Sequence, residues 1–182
     1  MNEKGETFTM ERQQKNKLVL IGFMGTGKST VSKLLSKKLG WTRIDGDEEI
    51  ERLAGRSISE IFATDGEAGF RVIETNVLAS LLDHKEPAVV ATGGGAVLSP
   101  YNRELMLSKS YVVALKASPE QIIARVKSDT ARPLLLGDAT ERVNLLLEQR
   151  KNAYDFAHLT IDTTYMTADE VVAAVLEQYI LL

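Results

Sequence analysis

After a polar start, short apolar runs alternate along the chain with amphipathic stretches. Residues 17–23 (KLVLIGF) form an almost unbroken apolar run of strand length. Residues 28–39 then place Val31, Leu34, Leu35 and Leu39 at helical spacing, and Gly40 stands where a helix ends. WTRID (41–45) predicts a second strand. Asp47 is expected to cap a short helix running to Leu53 and stopped by Gly55. Ser57 and Glu60 have capping-box spacing ahead of SISEIFAT, and residues 67–82 predict a longer helix. PAVVAT (87–92) is a β-branched, apolar run suited to a strand buried on both faces. A helix is expected over 101–107 and a strand over 111–117. Ser118-Pro119 opens a helix to about residue 127. Residues 128–138 (SDTARPLLLGD) predict a loop and 140–153 a helix. LTIDT (159–163) is the fifth strand, and 169–181 a closing helix.

Strands that alternate with helices imply an α/β fold: a five-stranded parallel sheet with right-handed crossovers, flanked by helices. One domain over 17–182 is expected, behind a polar tail over 1–16. In such sheets ligands sit at the carboxyl ends of the strands. Three chemically loaded segments follow strands: GFMGTGKST after the first, DGD after the second and TGGG after the third.

Composition narrows the function classes. The 182 residues carry a net charge of -3, so no bulk positive field exists to hold nucleic acid by counterion release. An anionic ligand must be held by local groups. There is no cysteine, which excludes disulfides, thiolate catalysis and cysteine-based zinc sites. The two histidines, His84 and His158, lie far apart and read as structural or surface residues. No apolar run reaches the length of a membrane span, and MNEKGETFTMERQQKN has no signal-peptide core. A cytoplasmic protein without membrane or nucleic-acid partners is expected, and a monomer.

The run from Gly22 to Ser29 matches G-x-x-x-x-G-K-[ST] between a strand and a helix. Glycines let the backbone turn tightly, so that amides point at phosphate oxygens, and the following helix adds its positive end. Gly25, Thr26, Gly27, Lys28, Ser29 and Thr30 are the candidate nucleotide cradle. Lys28 would face the β and γ phosphates, and Ser29 would offer its hydroxyl to Mg²⁺. Alternation along an extended segment can bring Asp45 and Asp47 to one side, one toward a metal and one toward an acceptor hydroxyl. Gly93, Gly94 and Gly95 would let a ligand approach the backbone closely. Arg71 precedes Glu74 by three residues on one helical face, a spacing equally suited to a surface ion pair. Arg125, Arg132 and Arg150 individually read as solvated charges, and Trp41, Phe62 and Phe70 as core residues.

GFMGTGKST, DGDEEIE, GEAGFRVIE, TGGGAV, ARPLL and R-x-x-x-Y, in this order and at these separations, resemble shikimate kinase from about Leu18 to the C-terminus. The resemblance implies a three-layer sandwich like the P-loop nucleoside monophosphate kinases, with an acceptor-binding region over 47–83 and a lid over about 125–138. It implies transfer of the ATP γ-phosphate to the 3-hydroxyl of shikimate, with Mg²⁺, on the route to chorismate and the aromatic amino acids. Asp47 matches the aspartate that binds the ring hydroxyls and acts as base, and Asp45 the one that reaches Mg²⁺ through water. Arg71 and Arg150 match the arginines on the shikimate carboxylate, a role that suits a planar fork. Glu74 matches the acid that orients the first arginine. Gly93, Gly94 and Gly95 match the pocket's backbone wall, and Phe62 and Phe70 its apolar walls. Arg132 matches the lid arginine and Arg125 an arginine near the adenine. One departure is plain: where the family commonly has R-x-P-L-Y, this chain has Arg150-Lys151-Asn152-Ala153-Tyr154, without the proline.

Two other readings remain open at the level of sequence. One is a related small-molecule kinase acting on gluconate or a nucleoside monophosphate. The other is a nucleotide-dependent binding module without transfer, against which Lys28, Ser29, Asp45 and Asp47 argue by all being present.

Overall fold

The computed structural model describes residues 15–127 and 139–180. Five strands, β1 (Lys17–Gly22), β2 (Thr42–Asp45), β3 (Ala88–Ala91), β4 (Tyr111–Lys116) and β5 (Leu159–Asp162), form one sheet in the order β2-β3-β1-β4-β5. Every pair is parallel, with Val19 level with Val90 on one side and Val112 on the other. The central strands are buried on both faces, so their side chains serve two cores by alternation. Leu18 and Leu20 point with Val113 and Leu115 toward helices α1 (Lys28–Leu39) and α7 (Ala168–Ile180), against Val31, Leu35, Val172 and Val175. Val19 and Ile21 point with Val90 and Val112 to the other face. That face is covered by α2 (Gly46–Ala54), α3 (Ile58–Asp83), α4 (Pro100–Lys109), α5 (Pro119–Lys127) and α6 (Ala139–Gln149). The result is a three-layer α/β sandwich.

The element boundaries depart from expectation in four informative places. Residues 58–83 run as one helix through a break at Gly66 (φ 68°, ψ −176°), a conformation open to glycine alone at little cost. The expected gap between two helices is therefore a kink. The N-cap of α2 is Asp45, not Asp47: the Asp45 side chain accepts the Asp47 N–H at 3.2 Å and the helix starts at Gly46. The chain turns helical one residue after β2, so Asp45 and Asp47 are not alternating residues of one extended segment. The helix expected over 140–153 ends at Gln149, and turns carry the chain to β5. Finally, Lys15 and Asn16 belong to the domain rather than to the expected tail. Asn16 accepts the Ala88 N–H at 3.1 Å, and the Lys15 ammonium caps the end of α4 at Leu107 and Ser110.

Because β2, β3 and β1 are adjacent, the segments leaving their carboxyl ends meet on one edge. That single topological fact gathers the phosphate loop, the aspartate corner and the three glycines.

Candidate active site

The phosphate loop leaves β1 through Gly22, whose φ of 146° is closed to other residues. Its outward carbonyls are held from behind. Arg125 of α5 donates to the Gly25 oxygen at 3.1 Å, and Thr163, just past β5, donates to the Thr26 oxygen at 3.2 Å. Arg125 also donates to the Thr163 carbonyl at 3.0 Å, so it braces the loop rather than standing in solvent. The Thr26 hydroxyl closes the loop onto the Phe23 oxygen at 2.7 Å. Lys28 reaches across it, its ammonium donating to the oxygens of Gly22 at 2.8 Å and Phe23 at 3.0 Å. Ser29 and Thr30 are exposed at the start of α1, beside its positive end.

Opposite the loop, the three glycines after β3 face four polar side chains between them. A Cβ on Gly93 would stand 2.8 Å from Asp47 Oδ1 and 3.2 Å from Glu74 Oε1. One on Gly94 would stand 3.6 Å from Arg150 Nη1, and one on Gly95 2.5 Å from Arg71 Nη2. The glycines therefore form a smooth wall onto which α2, α3 and the end of α6 press carboxylates and guanidinium groups. Arg71 Nη1 donates to Glu74 Oε2 at 2.8 Å, and Nη2 to Glu67 Oε1 at 3.2 Å. Arg71 also lies over the Phe70 ring, 5.2 Å from its centre. Phe70 in turn stacks on Phe62 at 4.7 Å. Phe70 is buried, whereas Phe62 is 41% exposed, so only Phe62 offers an open apolar face.

Glu74 is 5% exposed and borders a small apolar cavity of about 20 Å³ lined also by Ile50, Val77 and Leu78. Burial pushes its carboxyl above the ordinary glutamate value, partly countered by Arg71 and Arg150, while Asp47 adds to the rise. Burial alone would pull Arg71 down, but Glu74 and then Glu67 outweigh it and hold its guanidinium above its usual value. The arginine is thus held charged, and Glu74 and Glu67 fix where it points. Arg150 packs on the Phe23 ring at 5.7 Å. Tyr154 donates its hydroxyl to the Gly94 oxygen at 3.0 Å, and burial raises its phenol above the ordinary value. The geometry suits a small anion with neighbouring hydroxyls: two arginines for the anion, Asp47 for the hydroxyls, and a phosphate loop alongside.

A family model described as shikimate kinase matches residues 24–180. The chain belongs to the shikimate kinase family. It is 44% identical to the shikimate kinase of Pelotomaculum thermopropionicum over 85% of this chain and 90% of that one. Its identity to the Geobacter sulfurreducens shikimate kinase is 48%, over 87% of each chain. Among solved structures it is similar to the shikimate kinase from Acinetobacter baumannii in complex with shikimate. That likeness has a TM-score of 0.83 and 37% identity, and covers 90% of this chain and 92% of that one. A gluconokinase from Sinorhizobium meliloti matches with a TM-score of 0.64 at 19% identity, over 92% and 93% of the two chains, which is a likeness of fold alone.

For this shikimate kinase family member, the structure gathers Lys28, Asp47, Phe62, Phe70, Arg71, Glu74, Arg150 and the three glycines on one edge. Arg132 and most of the expected lid, residues 128–138, lie outside the described residues. Despite the missing proline, Arg150 keeps a helical bond to Leu146 at 3.1 Å, and a turn bond from Ala153 to Arg150 at 3.0 Å carries the chain on to Tyr154. Arg71 and Glu74 are not the surface pair that their spacing equally allowed, because α3 buries Glu74 beneath the glycine wall. Three residues went unnoticed in the sequence: Arg43, Thr163, and Tyr154 as a bonding group. Arg43 stands two residues before Asp45 on a strand, hence on its face, and that spacing was the available signal. Thr163 carried none.

Proposed function

We propose that this chain transfers the γ-phosphate of ATP to the 3-hydroxyl of shikimate, giving shikimate 3-phosphate and ADP in the cytoplasmic synthesis of chorismate. The observation that carries this reading is the glycine wall, where Asp47, Arg71 and Arg150 converge beside the phosphate loop. Arg71, oriented by Glu74, and Arg150 hold the acceptor's carboxylate, and Asp47 accepts the proton of the attacking hydroxyl. As that oxygen bonds to the γ-phosphorus, the bond to the β–γ bridging oxygen breaks and ADP leaves. Lys28 and the loop amides stabilise the charge on the transferring group, the kind of positioning and electrostatic work this reaction needs.

The donor set fits Mg²⁺. Among the described residues no cluster of three or more acidic or histidine side chains could cage a metal. Ser29 and Asp45 instead supply hard oxygens, which suits an ion held mainly by phosphates and water. Ser29 would hold it directly and Asp45 through water. When bound, Mg²⁺ would neutralise part of the phosphate charge.

The test follows ADP release from Mg²⁺-ATP with shikimate, gluconate, AMP or no acceptor. Turnover with shikimate alone is expected. Turnover with gluconate or AMP instead would keep the kinase and discard the acceptor. ATP binding without turnover for any acceptor would leave a binding module.

A further inference from the structure

Arg43 has no part in the reaction as described, yet it touches Asp45, one of the two groups assigned to the metal, and is linked through Ser32 to the backbone of the other, Ser29. Its Nη2 donates to Asp45 Oδ2 at 3.0 Å, and its Nε donates to the Ser32 hydroxyl at 3.2 Å. Ser32 is fully buried and donates onward to the Ser29 carbonyl at 3.0 Å. The other oxygen of Asp45 accepts the Asp47 N–H at 3.2 Å. A continuous polar chain therefore runs from Ser29 through Ser32, Arg43 and Asp45 to Asp47. It joins the first turn of α1, on the nucleotide side, to the α2 corner, on the acceptor side.

We propose that Arg43 is a positioning residue, setting the distance and orientation of Asp45 relative to Ser29 so that both face one Mg²⁺ ion. This rests on the Mg²⁺ reading above. Three features support it. The Arg43 and Asp45 side chains are 29% and 17% exposed, so their pair is sheltered rather than solvated. The guanidinium's planar fork engages two partners on two elements, which a lysine's single ammonium would not reproduce. A carboxylate has about four lone-pair sites, and the two bonds it accepts here leave capacity for a metal-bound water. Glu48, 3.7 Å from Arg43 and 72% exposed, adds only a screened contact.

The test is titration calorimetry of ADP into the full chain, with MgCl₂ and separately with EDTA. The ratio of the two affinities is the Mg²⁺-linked gain. Arg43→Met should bind ADP in EDTA as the parent does, because the phosphate loop is untouched. Its Mg²⁺-linked gain should fall by about tenfold, within the range for loss of an outer partner of a metal site. Arg43→Lys should lose nearly as much. In an Asp45→Asn background, Arg43→Met should cost nothing further, since the two act as one unit. An unchanged gain overturns the proposal. So does a larger gain, which would mean that the guanidinium competes with the metal for Asp45. Loss of ADP binding in EDTA by both Arg43 variants also overturns it, by making Arg43 a folding residue. If the parent itself gains nothing from Mg²⁺, the metal reading fails instead.

Discussion

Gly95→Ala isolates the proposed carboxylate clamp with a single methyl group. Gly95 has φ −98° and ψ −9°, values that alanine adopts freely, so the backbone itself opposes nothing. The obstacle is Arg71: the new Cβ would stand 2.5 Å from Nη2, 2.6 Å from Nη1 and 2.8 Å from Cζ. Ordinary contact needs about 3.5 Å, so the guanidinium must retreat by about 1 Å. Its bond to Glu74, now 2.8 Å, would then exceed hydrogen-bonding range. A charge-assisted bond is worth about 1.5–3 kcal/mol, and an arginine displaced from its orienting partner forfeits about that much toward a bound carboxylate. That converts to a rise of about 10- to 150-fold in shikimate KM. Stability should fall by about 1–3 kcal/mol, or about 2–12 °C in Tm, because Arg71 can turn toward Glu67 and solvent but leaves the buried Glu74 carboxylate without its partner. The assay is steady-state kinetics with shikimate varied at saturating ATP, alongside ADP calorimetry and a thermal melt. An unchanged shikimate KM would refute the clamp. Equal losses of shikimate and ADP affinity would refute the separation of wall from loop.

Asp47→Asn should abolish transfer while leaving ADP affinity within about twofold, as expected for a base that the nucleotide does not touch; lost ADP binding would make Asp47 structural. Gly22→Ala places a Cβ against the Leu115 carbonyl and the Thr26 hydroxyl at a φ of 146°. With backbone as the obstacle, it should cost about 3 kcal/mol or more and lose ADP binding, and a parental melt would contradict this. His158 accepts the Val112 N–H at Nδ1, 2.9 Å away, so the native state holds its imidazole neutral. Burial, and then the Lys15 charge, lower its pKa. Stability from this bond is therefore present above the unfolded value and is lost as pH falls through the lower native one. The drop in Tm between about pH 7.5 and about pH 5 should be smaller in His158→Phe than in the parent, and an equal drop would remove His158 from the acid response.

Periodicity and spacing made most of the secondary structure legible. The apolar runs of β1, β3 and β4 are short and rich in β-branched residues, which suits a sheet buried on both faces, and the helices carry their own start and stop residues. The phosphate loop was legible because strand, glycines, Lys28 and Ser29 are contiguous, and a local motif needs no tertiary partner to be read. The capping error at Asp45 and Asp47 had the opposite cause. Both aspartates are able caps, and the choice depended on where β2 lets go of β3.

The residues by themselves determined the layered fold, the nucleotide loop and, through six ordered motifs, the family resemblance. Only the tertiary structure decided which charges are site groups. Arg71 and Glu74 have the spacing of any surface pair, and burial of Glu74 under Gly93 separates them from one. Arg125 became a brace for the phosphate loop because β5 brings Thr163 beside Gly25 and Thr26. Arg43 became a link between nucleotide and acceptor sides because α1 sets Ser32 within reach of β2. Charge is a property of a residue, but desolvation and partnership belong to the packing around it, and packing joins positions that the chain keeps far apart.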